Sequence, residues 1–379
     1  MRALVLALAV FAAAAAPATA RTIDVRPGDS IQAAVDDAGP GDRVIVHPGE
    51  YTEAGLPCPG QPDDTCAVVI SEDRIRLLGR TVHGERAVLR AAEGQDRGIF
   101  VGLPPVGTCL SDDDLVVHGS KIAGMTVTGF EDDGVRLSCV KRWRVTRVRA
   151  IENLEYGIFP VLSARGRLDH SFASGANDTG IYLGQSRRAR IDHNRAVDNL
   201  SGYELENTSR VRLVRNVARG NTAGILNFAL PNLTVDSNAR NFIARNVVEA
   251  NNRDNTCSTP GDVVCEVPSG TGVLVLAADR ARVRRNEVTG NRTVGIAVAN
   301  YCIVLGVPAE ECAQLDIDPS PDHTRVRRNE LSGNGFDPDL ERLPAPQFAV
   351  DLAWDTSGED NCWAANGDAT RFPDPLPAC

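Results

Sequence analysis

Short apolar segments open on a glycine at near-constant intervals along the chain. Gly134, Gly157, Gly180, Gly202 and Gly224 follow one another at steps of 23, 23, 22 and 22 residues, and Gly272 and Gly295 resume the step of 23 after a longer segment. Pairs spaced Asn-x4-Asn keep time with them: Asn194 and Asn199, Asn216 and Asn221, Asn246 and Asn251, Asn286 and Asn291, Asn329 and Asn334. Periods of this length restrict a chain to a solenoid or an array. Helical repeats need 3.6-periodic apolar stretches that these units lack, and no recurrent L-x-x-L-x-L marks leucine-rich repeats. Each unit instead holds short alternating runs such as Gly180-Ile181-Tyr182-Leu183 and Val211-Arg212-Leu213. Three short strands per turn, separated by Gly and Asn bends, describe an all-β parallel β-helix. Stacked Asn amides would bond from coil to coil, a structural role.

Length alone, at 379 residues, would suggest two or three domains. A solenoid removes that inference, because each turn buries its core only against its neighbours. Aromatic residues make up only 5% of the chain against 34 Gly, in keeping with a narrow interior filled by Ile, Val, Leu and Ala. A hydrophobic share of 42% excludes a disordered chain, and no apolar run past residue 20 is long enough to span a bilayer. Residues 1–20 read as a secretory signal peptide: a short positive start, an apolar core and an A-x-A end at Ala18-Thr19-Ala20. Residues 21–343 then form the β-helix, entered by a helix from Ser30 to Ala38 with Ser30 as N-cap, and residues 344–379 a capping tail. The protein is expected to be exported, periplasmic or extracellular, and monomeric.

Ten Cys in an exported chain favour disulfides. Neighbouring cysteines suggest Cys58 with Cys66, Cys257 with Cys265, Cys302 with Cys312 and Cys362 with Cys379, leaving Cys109 and Cys139; connectivity stays open at this level. No C-x-x-C pairs or Cys/His clusters point to zinc. A net charge of −10 without a dense Lys/Arg block argues against a nucleic-acid partner. It also makes the protein a poor electrostatic trap for acidic sugars.

The segment Pro27-Gly28-Asp29-Ser30-Ile31-Gln32-Ala33-Ala34-Val35, with Pro40-Gly41-Asp42 and Pro48-Gly49-Glu50-Tyr51, resembles the entry of the pectate-lyase-like right-handed parallel β-helix superfamily. Residues 180–186, 204–207, 224–231 and 267–272 are similar to a bacterial group of exported parallel β-helix repeat proteins. The resemblance runs from about residue 22 to about residue 335 and implies a right-handed coil. It implies a carbohydrate-related role, since the superfamily holds polysaccharide lyases, hydrolases and uronan C5-epimerases beside binding and accessory proteins. In the bacterial group an acidic residue usually stands where Ala229 is here. The Asp-Pro-His-Asp motif of the uronan epimerases is not matched by Ser320-Pro321-Asp322-His323.

Strand alternation places candidate chemistry on one outward face. One row stacks Arg136, Phe159, Tyr182, Glu204, Leu226 and Leu274; a second stacks Gly184, Glu206, Phe228 and Leu276, with Gln185 and Asn207 at the strand ends. A sugar chain along the coil would stack on Phe159, Tyr182 and Phe228 and bond to Gln185 and Asn207. Glu204 and Glu206, about 7 Å apart on one strand face, would serve acid–base work. Arg136 would supply the cation that lyase or epimerase chemistry needs against a uronate. Asp169-His170 and Asp192-His193, one turn apart, are weaker candidates, because Arg215, Arg245, Arg285 and Arg328 continue their column. No cofactor is expected, with Ca²⁺ at Asp112-Asp113-Asp114 or Glu131-Asp132-Asp133 the alternative. The leading expectation is an exported protein that binds and processes a polysaccharide as a lyase, C5-epimerase or hydrolase. The alternative is a non-catalytic scaffold that binds a glycan or a protein.

Overall fold

A computed structural model describes residues 20–103, 109, 116–257 and 263–379. The signal-peptide segment and Asp112 to Asp114 lie outside these. The chain winds as a right-handed parallel β-helix. One coil shows the plan: strands Arg190–Asp192, Arg195–Val197 and Ser201–Glu206 enter a first, second and third sheet in turn. The first and third sheets each have twelve strands and the second eleven. The coil-to-coil pairing is parallel, and small antiparallel pairs, such as Leu56–Cys58 with Gln61–Ile70, occur near the N-terminal end.

Register sets like residues over like. Leu168, Ile191, Leu213, Ile243, Val283 and Val326 stand one above another in the first sheet. All are fully or almost fully buried, each burial contributing about 1.5–3 kcal/mol. Two asparagine ladders close the bends. Each Nδ2 donates to the next Oδ1, from Asn194 to Asn216 at 3.0 Å, Asn216 to Asn246 at 3.1 Å and Asn246 to Asn286 at 3.0 Å, and onward through Asn329 to Asn366. The second ladder runs from Asn199 to Asn334 and ends on the Asp351 carboxylate at 2.7 Å. These bonds satisfy donors and acceptors sealed from water. The aligned glycines exist for the same bends: a Cβ on Gly180 would sit 2.6 Å from the Asn199 amide nitrogen.

At the N-terminal end helix Ile31–Asp36 covers the first coil, with the Ser30 hydroxyl accepting from the Ala33 N–H at 3.0 Å. Residues from 344 onward add Leu352–Trp354 to the third sheet and Cys362–Ala364 to the first, with the Trp354 and Trp363 rings 5.2 Å apart. All ten cysteines are paired, each with the neighbour its spacing suggests, Cys109 with Cys139 included.

Candidate functional site

The outward face of the third sheet carries the two expected rows. Tyr182 pairs with Glu204, Glu204 with Leu226 and Leu226 with Leu274, while Gly184, Glu206, Phe228 and Leu276 align beside them. Arg136 aligns with Phe159 on the coils before. Phe159 and Tyr182 stack with ring centres 4.3 Å apart, and Tyr156, on the same strand as Phe159, packs 4.4 Å from its ring.

The structure then covers this face. The loop after Phe228 brings Leu230; the insertion before strand Thr271–Leu276 brings Val263, Val264, Glu266, Val267 and Pro268; helix Tyr301–Leu305 brings Val304 and Leu305. Cys257–Cys265 and Cys302–Cys312 staple the last two walls. Together they form a narrow cleft of about 60 Å³ over Glu204, Glu206, Phe228 and Leu274, with Tyr156 and Asp178 at one end.

Glu204 is 4% exposed. Burial pushes its carboxyl well above the ordinary range and the neighbouring Asp178 charge adds to this. Its Oε1 is buried without a hydrogen-bond partner. Glu206 accepts the Tyr182 hydroxyl at 2.7 Å. Burial, with the charges of Glu206 and Glu204, raises the Tyr182 hydroxyl well above its usual range, so it stays a donor. Asp178 accepts from Thr179 Oγ1 at 2.9 Å. It belongs to a rim column with Asp132 and Glu155, one coil apart. Glu155 is open to solvent on one side, yet partial burial and the charges of Asp132, Asp133 and Asp178 push it up to about 7. An acid two places before each of Gly134, Gly157 and Gly180 was the signal for this column, and for Asp178 as a third cleft carboxylate. Tyr156 carried no such periodic mark.

Five expected residues, Arg136, Phe159, Tyr182, Gln185 and Asn207, do not line the cleft. Arg136 donates to Asp133 at 2.9 Å and lies over the Phe159 ring at 4.4 Å, about 14 Å and three strands from Glu204 with both rings between. Asn207 is fully buried: its amide donates to the Leu230 and Val235 carbonyls and accepts from the Leu230 N–H at 2.7 Å, fixing the loop that walls the cleft. Gln185 accepts from Val235 N–H at 3.3 Å and holds the same loop. Phe159 is buried under Tyr156 and Tyr182, so the rings form a packed stack beside the cleft.

In the acid run at Glu131 to Asp133, Arg97 donates to Asp132 at 2.6 Å and to Asp133 at 2.9 Å. Asp169 and Asp192 hold the Nδ1 of His170 and His193 at 2.8 Å each. Although burial works against it, hydrogen bonds from His170, Arg144 and Thr146 keep the Asp169 carboxyl below the ordinary range. The two imidazoles lie parallel, 5.1 Å apart, on the first sheet, away from the cleft.

The family model described as periplasmic copper-binding protein (NosD) matches residues 117–305. Among solved structures, the A-module of a mannuronan C-5 epimerase from Azotobacter vinelandii is 18% identical, with 89% of this chain and 91% of that one covered at a TM-score of 0.58. An alginate lyase from Paenibacillus sp. is 14% identical over 82% of this chain and 95% of that one, TM-score 0.53. A DFA-IIIase from Arthrobacter chlorophenolicus A6 is 11% identical over 95% and 98%, TM-score 0.54. No curated protein matches the chain. These likenesses agree with the right-handed parallel β-helix fold of this chain.

Copper, named in the family description, finds no fitting donor set among the described residues. Every cysteine is in a disulfide, Met125 is fully buried in the core, and the two stacked imidazoles run side by side instead of converging on one ion. The one carboxylate trio close enough for a metal is Asp279, Asp318 and Asp322, an oxygen set unsuited to copper.

Proposed function

We propose that this right-handed parallel β-helix is an exported carbohydrate-active protein whose third-sheet cleft binds and hydrolyses an uncharged glycan. The observation that carries the reading is the buried Glu204 carboxyl, with an unpartnered oxygen at the cleft floor beside Asp178 and Glu206. A carboxyl that keeps its proton at neutral pH is what protonation of a glycosidic oxygen requires, and a second carboxylate completes the pair. Glu204 is the proton donor. Glu206, held by the Tyr182 hydroxyl, is the partner carboxylate, and the apolar wall of Leu226, Phe228 and Leu274 packs the C–H faces of the sugars. Among the described residues no Lys or Arg lines the cleft, which speaks against a uronate there, and so against lyase or epimerase chemistry with Arg136 as the cation. Five disulfides and the periplasmic family description support export to an oxidising compartment.

A second reading is a non-catalytic glycan-binding scaffold, favoured by the apolar majority of the lining. Incubation of the purified chain with neutral and uronate glycans, beside Glu204→Gln and Glu206→Gln, separates the two. Hydrolysis expects turnover of a neutral glycan that Glu204→Gln abolishes while binding persists. Binding without turnover by the wild type would leave the scaffold standing.

A further inference from the structure

A chain with net charge −10 concentrates arginine on the outward face of its first sheet. Register stacks Lys121, Arg144, Arg167, Arg190 and Arg212 one coil apart, and Arg282 and Arg325 follow after Phe242. In the middle coils Asp169 and Asp192 neutralise Arg144, Arg167 and Arg190 at 2.9–3.3 Å. Beyond Val214 the aspartate position passes to Ala244, Arg284 and Arg327, and the counter-charge ends. Arg282, Arg284, Arg325, Arg327 and Arg328 line an open groove, and no carboxylate among the described residues forms an ion pair with any of them. Desolvation and the charges of Arg285, Arg328, Arg327 and Arg245 pull the Arg284 guanidinium below its usual range.

The bends beside this sheet add a second observation. Arg240 and Arg280 before it, and Arg245, Arg285 and Arg328 after it, sit at φ between 52° and 62°, the left-handed region where Gly or Asn is the easier residue. The sequence places arginine there in coil after coil, and their like charges repel at the strand spacing of about 4.8 Å.

We propose that the C-terminal half of the first sheet is a docking track for an anionic polysaccharide lying along the coil axis, separate from the third-sheet cleft. Guanidinium forks pair bidentately with carboxylate or sulfate, and a flat, straight column repeating once per coil suits an extended polymer with regularly spaced charge. The open groove lacks the enclosure of a small-molecule site. Nucleic acid fits less well, because a single strand wants a series of stacking rings and the column offers Phe242 alone, already under Arg212 at 4.7 Å. The track is independent of the cleft's chemistry.

The test is titration of the whole chain with polygalacturonate, heparin, a neutral dextran and single-stranded DNA at two salt concentrations. The expected result is salt-dependent binding of polygalacturonate or heparin, none of dextran, and a loss of at least about tenfold in Arg282→Ser/Arg325→Ser/Arg327→Ser. Glu204→Gln binds these polyanions like the wild type, which separates failure of the track from failure of the cleft. A matching Lys triple variant keeps charge and fold and weakens binding by about threefold, through loss of the bidentate forks. Polyanion binding unchanged in the Ser variant, no binding by the wild type, or tighter binding of DNA than of either polysaccharide overturns the proposal.

Discussion

Replacing Glu204 by Gln tests the cleft through stability, with no substrate needed. In the unfolded chain the carboxyl ionises near its ordinary value of 4.5; in the fold, burial and Asp178 raise it well above that. Between those two points the folded state binds one proton more than the unfolded state. Stability therefore falls as pH rises, at about 1.4 kcal/mol per pH unit for as long as Glu204 holds its proton. Below pH 4 both states are protonated and the contribution vanishes. Glutamine keeps the shape and cannot ionise. Its stability relative to wild type should climb by about 1.4 kcal/mol for each pH unit above 4.5 until the folded-state carboxyl titrates. The assay is urea denaturation of both chains at pH 4, 5, 6 and 7, read at one transition so that partial unfolding of the solenoid is not mixed in. Parallel pH profiles for the two chains would refute the reasoning, because Glu204 would then ionise in the fold as freely as in water and could not serve as the proton donor.

Asn246→Ala removes four buried hydrogen bonds, two accepted from Asn216 and one donated to each of Leu213 O and Asn286 Oδ1. The expected loss is about 3–5 kcal/mol by denaturant titration; under about 1 kcal/mol would mean the ladder is ornamental. Gly180→Ala drives a methyl against the Asn199 amide and should cost about 1–3 kcal/mol, visible as faster hydrogen exchange in the coils it joins. The pair Cys302→Ser/Cys312→Ser releases the wall carrying Val304 and Leu305. Closing its 10-residue separation contributes about 2–3 kcal/mol, so glycan affinity should fall with far-UV circular dichroism unchanged.

The fold was legible because stacking turns sequence period into space. The interval between Gly180 and Gly202 and that between Asn194 and Asn216 fix one coil, and strand alternation then orders Tyr182, Glu204 and Leu226 on a single outward row. Cysteines separated by 8 to 30 residues paired locally for the same reason, since nearby positions on a coil stay near in space. The rim column of Asp132, Glu155 and Asp178 was equally periodic and could have been read beside the glycines.

What only the tertiary structure decided arises where the period breaks. Insertions around residues 229–237, 252–257, 263–270 and 300–320 carry no register, yet they fold over the third sheet and convert Glu204 from an outward strand residue into a buried one. They also commit Asn207 and Gln185 to loop anchoring. Arg136 was placed in the right row, but Asp133 and the ring stack hold it away from Glu204. The net charge of −10 hid a cationic face, because a sum over the chain says nothing of which sheet each arginine faces. Repetition determines which residues lie one coil apart; burial and charge at a site depend on what covers the coil, and that is fixed by segments that do not repeat.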